Sequence, residues 1–440
     1  MENKFFYIES YGCSANLNNS EIIKGLLIQA GLEITNNPKL AGVLILNTCV
    51  VKGPTEEKIN FKIKQLSKLN KPLIIAGCMP EVRKHELSKI PNIFLLGTHH
   101  FKEIPKLIKK ISENKLTDKD KQELISLKDE IKLNLPKISD SKKIGITQIS
   151  EGCLGNCTYC IVKLAKGKLF SYPEEKILKN VEQDLKSGCR EIWITSQDNA
   201  SYGLDRKEKK HKLPSLLKKI LKLDYNFKLR IGMMDPNNIL PILDELIEVY
   251  KHEKMFKFLH MPIQSGSNKI LKDMNRLYNV TQIMKIRSHF KKQIPNLTLS
   301  TDIIVGYPTE TEKDFNDTLK LIKQIKPDII NISKFWPRKG TEAAKLAHLP
   351  INAVLKRTKK LVKLNTKNIL ENNKKYLNKE LPVLIDKPGF KLKNQLSWLA
   401  RADNYKLVII KSDIGKNLLG RHLKVRITDA KGHYLTGEKV

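Results

Sequence analysis

Short apolar runs alternate with amphipathic stretches along most of the chain. In the first 110 residues the runs are Phe5–Ile8, Val43–Leu46, Leu73–Ala76 and Ile93–Leu96, each followed by a segment of helical periodicity. Continuous apolar runs of this length, set between amphipathic helices, predict strands of a parallel sheet covered on both faces. The pattern predicts a small doubly wound α/β domain over residues 1–110. Residues 111–140 are charged and glycine-free, with Pro136 near the end. They read as a linker with some helix and room for an edge strand.

From residue 141 the alternation resumes and runs through six strand–helix units. The expected strands are Gly145–Ser150, Glu191–Thr195, Lys228–Met233, Lys257–Pro262, Leu297–Val305 and Ile329–Phe335, with helices such as Pro173–Ser187 and Thr311–Ile325 between them. Six such units predict an incomplete TIM-like barrel, whose active face is the rim at the strands' C-terminal ends. Polar residues gather there: Ser196-Gln197-Asp198, Gln264-Ser265-Gly266, Asp302 with Gly306, and Arg338. A long basic helix is expected from 351 to about 374. Beyond it the period drops to two, with strands at Leu381–Ile385, Tyr405–Ile410, His422–Ile427 and Tyr434–Val440, punctuated by Gly389, Gly415, Gly420 and Gly432. Those strands predict a small β-barrel. Its lysines and arginines, with Trp398 and Tyr405 interleaved, fit an RNA surface on which bases stack; a plain structural cap is the competing reading.

Composition narrows the class. The 440 residues carry 80 Lys and Arg against 46 Asp and Glu, a formal net charge of +34. Such an excess favours a polyanionic partner, nucleic acid ahead of membrane. No apolar run approaches the roughly 20 residues that span a bilayer. The opening residues read directly into a strand, which predicts no secretory leader and a cytoplasmic location.

Seven cysteines in so long a chain are not a disulfide framework. Cys153, Cys157 and Cys160 form C-x3-C-x2-C with Gly152 and Gly155, in a loop after the first barrel strand. Thiolates this close in a reducing compartment point to metal. Three of them leave one iron of a four-iron cube without a protein ligand. A zinc knot is the alternative, and zinc wants a fourth ligand that the loop lacks. Cys13, Cys49 and Cys78 each follow one of the first three apolar runs. A parallel sheet brings such strand ends to one edge, so these three are expected to converge as a second metal site. Buried cysteine as a small hydrophobe is the bland alternative, and it is the reading for Cys189. His99 and His100 read as loop histidines, solvated or structural.

The cysteine loop, including Tyr159 before its last cysteine, resembles the signature of the radical S-adenosylmethionine superfamily. In that superfamily the cofactor's amino and carboxylate groups chelate the open iron, and one electron releases a 5′-deoxyadenosyl radical. The chain as a whole resembles the methylthiotransferase family, through Asn47-Thr48-Cys49, Ala76-Gly77-Cys78-Met79-Pro80, His260 to Ser267 and Thr301 to Glu310. The resemblance implies a flavodoxin-like N-terminal domain with an auxiliary 4Fe-4S cluster on Cys13, Cys49 and Cys78. It implies a partial (βα)6 radical core over 141–372, with its cluster on Cys153, Cys157 and Cys160, and an RNA-binding TRAM domain over 373–440. Contacts to S-adenosyl-L-methionine fall by the same resemblance on Tyr159, Ser196, Gln197, Gln264, Ser265, Asp302 and Val305. Glu191 to Asp198 with Tyr202-Gly203, and Lys334 to Arg338, look like the archaeal and eukaryotic branch. That branch methylthiolates carbon 2 of N6-threonylcarbamoyladenosine at position 37 of tRNA. The implied partner is a tRNA anticodon loop, met by a monomer, with the sulfur and electron donors unidentified. The family's usual Arg-Gly after the cluster loop is Lys166-Gly167 here, which removes a bidentate anion clamp and leaves a point charge. A sister branch acting on a ribosomal protein, and a non-catalytic iron–sulfur RNA-binding protein, are the alternative functions.

Overall fold

The computed structural model describes residues 4–51, 53–392, 395–413 and 417–440. Gly415 lies outside the described residues. The N-terminal sheet is all parallel, in the spatial order Glu33–Ile34, Phe5–Ser10, Val43–Thr48, Leu73–Gly77, Ile93–Gly97. That is the 2-1-3-4-5 order of flavodoxin-like folds, whose ligand crevice opens between the first and third strands. The run at Val43–Leu46 is apolar throughout because both faces are covered. Val43 and Ile45 pack with Ile23, Leu27 and Ile104 on one side, and Leu44 and Leu46 with Ile59, Ile63 and Leu66 on the other. The strand Glu33–Ile34 has no sequence signal, being two exposed residues at the sheet's edge.

The linker carries the expected helix, Asp118–Glu123, but no edge strand among the described residues. It is held instead by single contacts: the Ile138 N–H donates to the Glu21 carbonyl at 2.9 Å, and Lys132 is fully buried.

The six barrel strands form as expected, in two parallel sheets of three. Ile144–Gln148, Glu191–Thr195 and Lys228–Ile231 make the first; Phe258–His260, Thr298–Val305 and Ile329–Lys334 the second. The seam between them keeps one bridge, Leu229 to Met255, and a bond from the Met234 N–H to the His260 carbonyl at 2.9 Å. Pro262 has no N–H for the ladder and closes the fourth strand after three residues. Cys189 is in the barrel core.

The helix Ile351–Lys374 leads to a closed five-stranded barrel: Glu380–Leu392, Gln395–Ala402, Leu407–Asp413, Leu435–Lys439, His422–Ala430. The strand Gln395–Ala402 escaped the sequence reading because its inward positions include two alanines, Ala400 and Ala402. The two aromatics expected to stack on RNA bases do not face solvent. Trp398 is in the small barrel's core. Tyr405 is wedged against Phe256 and Phe258 of the larger barrel, with ring centroids 4.9 Å away in both cases. These rings dock one domain on the other. No helix is long and apolar enough to cross a membrane among the described residues.

Candidate active site between two cysteine trios

The first trio lies where the sheet order reverses. Cys13 caps the helix Ser14–Gln29, Cys49 follows the strand Val43–Thr48, and Cys78 opens the helix Cys78–Leu87. Gly12 (φ +126°) and Gly77 (φ +93°) make these turns possible. A Cβ on Gly12 would lie 2.8 Å from the Cys49 Cβ, and one on Gly77 2.7 Å from the Thr48 carbonyl. The three thiols feel one another electrostatically. Cys49 and Cys78 are buried, whereas Cys13 is exposed.

The second trio sits on a closed loop. The Cys153 N–H donates to the Gly167 carbonyl at 3.3 Å, pinning the loop's two ends together. A Cβ on Gly155 would stand 3.4 Å from the Cys153 sulfur and 3.6 Å from that of Cys157. Gly155 therefore keeps open the space between two thiols. The loop's exit runs into the N-terminal domain, where Ile161 and Ala165 share a hydrophobic cluster with Cys49 and Cys78. The Arg338 guanidinium favours the thiolates of both Cys49 and Cys160. The two trios thus meet across Ile161 and Arg338.

The base of this loop is a buried ionic knot. Glu151 accepts from Lys132 Nζ at 2.6 Å and Lys166 Nζ at 3.0 Å. Lys132 also donates to the Thr98 carbonyl at 2.6 Å, and Lys166 to the Thr98 hydroxyl at 2.9 Å. His99 Nδ1 lies 3.2 Å from Glu151. Burial alone would push Glu151 up, but Lys132 and Lys166 hold it well below the usual carboxylate range. Lys166 is therefore a structural cation facing the first trio. His99 and His100 are structural too, the latter bonded through Nε2 to the Ser126 carbonyl at 2.7 Å.

Opposite, on the barrel rim, Arg276 donates to the Cys157 sulfur at 3.0 Å, to the Tyr278 hydroxyl at 2.9 Å and to Asp235. Asp198 accepts from the Asp235 N–H at 2.9 Å and the Asn238 amide at 2.6 Å. Burial, then the neighbouring Asp235, push its carboxyl up to about 7. Arg276 has no signature in the sequence; its role comes from a turn that brings it to the cysteine loop. Of the residues expected around a cofactor, Ser196 and Gln197 present buried oxygens without a hydrogen-bond partner among the described residues. Gln264 is strained at φ +70°, its N–H donating to the Asp302 carbonyl at 2.8 Å and its own carbonyl accepting from Ile304 at 3.0 Å. The Asp302 carboxylate is 2.6 Å from His260 Nε2. Tyr159 packs against the buried cluster of Ile270, Met274, Tyr307 and Ala343. Ser265 and Val305 are different: the Ser265 hydroxyl engages Thr318 at 3.3 Å, and Val305 is in the barrel core.

Residues 5–97 match the Uncharacterized protein family UPF0004, residues 147–322 the Radical SAM superfamily, and residues 374–440 the TRAM domain. A protein of Methanocaldococcus jannaschii named "Probable threonylcarbamoyladenosine tRNA methylthiotransferase" is 39% identical over 437 residues, covering 99% of this chain and 96% of its own. The Homo sapiens threonylcarbamoyladenosine tRNA methylthiotransferase is 31% identical, over 99% of this chain and 74% of its own. This chain belongs to the threonylcarbamoyladenosine tRNA methylthiotransferase family. Among solved structures, the radical S-adenosylmethionine methyltransferase TsrM of Kitasatospora setae, with cobalamin and a 4Fe-4S cluster bound, superposes with a TM-score of 0.57 at 10% identity, over 78% of this chain and 77% of its own. The cobalamin-dependent S-adenosylmethionine radical enzyme OxsB gives 0.53 at 10% identity, over 82% of this chain and 56% of its own. These two share the fold.

The thiols of this methylthiotransferase-family chain suit iron–sulfur cubes better than single ions. Among the described residues no three His, Cys, Asp or Glu side chains converge tightly enough to hold one metal ion; a cube spreads its thiolates farther apart. Backbone N–H groups two residues on already point at three of the sulfurs. Val51 donates to Cys49 at 3.4 Å, Gly155 to Cys153 at 3.3 Å, and Val162 to Cys160. Burial pushes the thiols of Cys78 and Cys153 up to about 12 and that of Cys160 to about 11. Metal must displace those protons, and Arg276, Arg338 and Lys166 supply the positive charge that favours it.

Proposed function

We propose that this chain is a tRNA-modifying enzyme that adds a methylthio group to carbon 2 of N6-threonylcarbamoyladenosine at position 37, beside the anticodon. The observation that carries the reading is the meeting of two cysteine trios from separate domains across Ile161 and Arg338, in a chain aligned end to end with relatives of that name. Cys13, Cys49 and Cys78 would hold an auxiliary 4Fe-4S cluster, and Cys153, Cys157 and Cys160 the radical cluster. Tyr159, Ser196, Gln197, Gln264 and Asp302, with the backbone at Ser265 and Val305, would border S-adenosyl-L-methionine. Bound there, these groups supply a primary carbon radical able to break an unactivated aromatic C–H bond, along with sulfur and a methyl group.

The protein's part is positioning and exclusion. The knot of Glu151, Lys132 and Lys166 clamps the cysteine loop onto the N-terminal domain and keeps water from its base. Arg276 fixes Cys157 against the barrel. No side chain is assigned as acid or base, because proton transfer does not activate such a C–H bond. The target adenosine lies in a single-stranded loop, where it is splayed out without breaking a duplex. The C-terminal barrel and the lysine-rich surface hold the tRNA body through its phosphates. We read the domains as 1–110, 111–140, 141–372 and 373–440. One chain supplies every part of the site, which supports a monomer; seven free cysteines support a reducing, cytoplasmic setting.

Nucleoside mass spectrometry of tRNA from cells lacking the protein tests this. The 2-methylthio species should vanish and N6-threonylcarbamoyladenosine accumulate. Unchanged levels reject the assignment, and a methylthio gain on a protein side chain would move it to the sister activity.

A further inference from the structure

Arg338 combines three features that its structural contacts do not explain together. It follows the last barrel strand and is 5% exposed. Its Nη1 pairs with Glu56 of the N-terminal domain, but Nη2 is enclosed and has no hydrogen-bond partner among the described residues. It stands between the two trios: Glu56 belongs to the helix Gly53–Ser67 that follows Cys49, and just beyond Arg338 the Ala343 N–H donates to the Thr158 carbonyl of the cysteine loop at 2.9 Å. Enclosing an N–H donor without an acceptor is unfavourable, so an unused edge of a buried guanidinium implies an occupant.

Its position is firmly held. The Trp336 ring lies against Gly53, where a Cβ would come within 2.5 Å of it. The Arg338 carbonyl accepts from the Thr341 N–H at 3.0 Å and from its hydroxyl at 2.8 Å. Glu56, its partner, is shared: its other oxygen accepts from Arg83 Nη1 at 3.0 Å. Arg83 has a second carboxylate, Glu86, at 2.8 Å, whereas Glu56 is the one carboxylate paired with Arg338 among the described residues.

We infer that Arg338 Nη2 is the donor for a small monoanion lodged between the two cysteine trios. The inference rests on the proposed function. Two anions of that reaction have the chemistry: hydrosulfide, the simplest form of the sulfur to be inserted, and the carboxylate of the threonylcarbamoyl group on the substrate base. Both are single negative charges that accept a hydrogen bond from a guanidinium.

The test uses full-length protein reconstituted anaerobically, as wild type, R338Q and R338K, with iron content and circular dichroism measured on each. One arm titrates sodium hydrosulfide and follows the cluster's electron paramagnetic resonance signal. The other measures binding of an anticodon stem-loop carrying N6-threonylcarbamoyladenosine against one carrying unmodified adenosine. R338Q should weaken hydrosulfide binding, or erase the preference for the modified stem-loop, by about tenfold; whichever arm changes names the anion. R338K keeps the charge and should retain most of that binding. R338Q with wild-type iron that behaves as wild type in both arms overturns the inference, as does an equal loss in R338K. A wild type that binds neither stem-loop counts against the proposed function, and the hydrosulfide arm then tests Arg338 alone.

Discussion

Lys166 Nζ donates to Glu151 Oε1 across 3.0 Å, in an interior from which both side chains are almost wholly withdrawn from solvent. Glu151 stands just before the cysteine loop and Lys166 just after it, so their bond closes the loop at its neck. Replacing Lys166 by Met leaves Glu151 with Lys132 as its remaining lysine. Breaking a buried pair in this way costs about 3–5 kcal/mol. Lys166→Met should lose the lower end of that range in chemical denaturation, and Lys166→Arg less, since the charge is kept.

Gly155 has ordinary backbone angles, so an alanine there is not strained. Its methyl would occupy the space between the Cys153 and Cys157 sulfurs. Gly155→Ala should fold normally by circular dichroism yet hold about half the iron of the wild type, losing one cube of two. Full iron content in the variant would show that the space is not the cluster's.

Tyr405 joins the small barrel to the large one. It touches Phe256 and Phe258 and lies under Arg230 and Arg401, whose guanidinium carbons are 5.0 and 4.7 Å from its centroid. Tyr405→Ala should cost about 3 kcal/mol. It should also open the chain to proteolysis near residue 374 and weaken tRNA binding, although the ring itself does not face solvent.

Glu191 sits at this same junction, bonded to Trp193 Nε1 at 2.5 Å. Burial, the largest influence, pushes its carboxyl up to about 7, against an ordinary value of 4.5. A raised folded value means that the folded state binds the proton more tightly. Stability should therefore fall as pH rises from about 4.5 to about 7 and stay level above, by about 3 kcal/mol at most. Glu191→Gln should remove that fall and be the more stable protein at pH 8. Parallel pH profiles for the two proteins would contradict the assignment.

The sequence carried the fold where burial is two-sided. Val43–Leu46 and Leu73–Gly77 declare themselves because each residue is apolar or small, and the cysteines that follow them are brought to one edge by parallel topology. Edge and alternating strands were weaker: Glu33–Ile34 is exposed, and Gln395–Ala402 buries alanines. Trp398 and Tyr405 looked like an RNA surface because an aromatic among lysines reads alike whether it faces a base or a neighbouring domain. Within the site, the cysteines were legible by spacing, whereas Arg276, Glu56 and the Lys132–Glu151 pair were not. Those depend on loops meeting across domains, and no local periodicity records such a meeting.

The central claim is that six thiols hold two separate cubes. Anaerobic iron and sulfide counting on the wild type, and on two triple Cys→Ala variants, measures it directly. The wild type should carry about eight irons, and each variant, lacking either Cys13, Cys49 and Cys78 or Cys153, Cys157 and Cys160, about four. Eight irons surviving in either variant, or none remaining in a folded one, would contradict it.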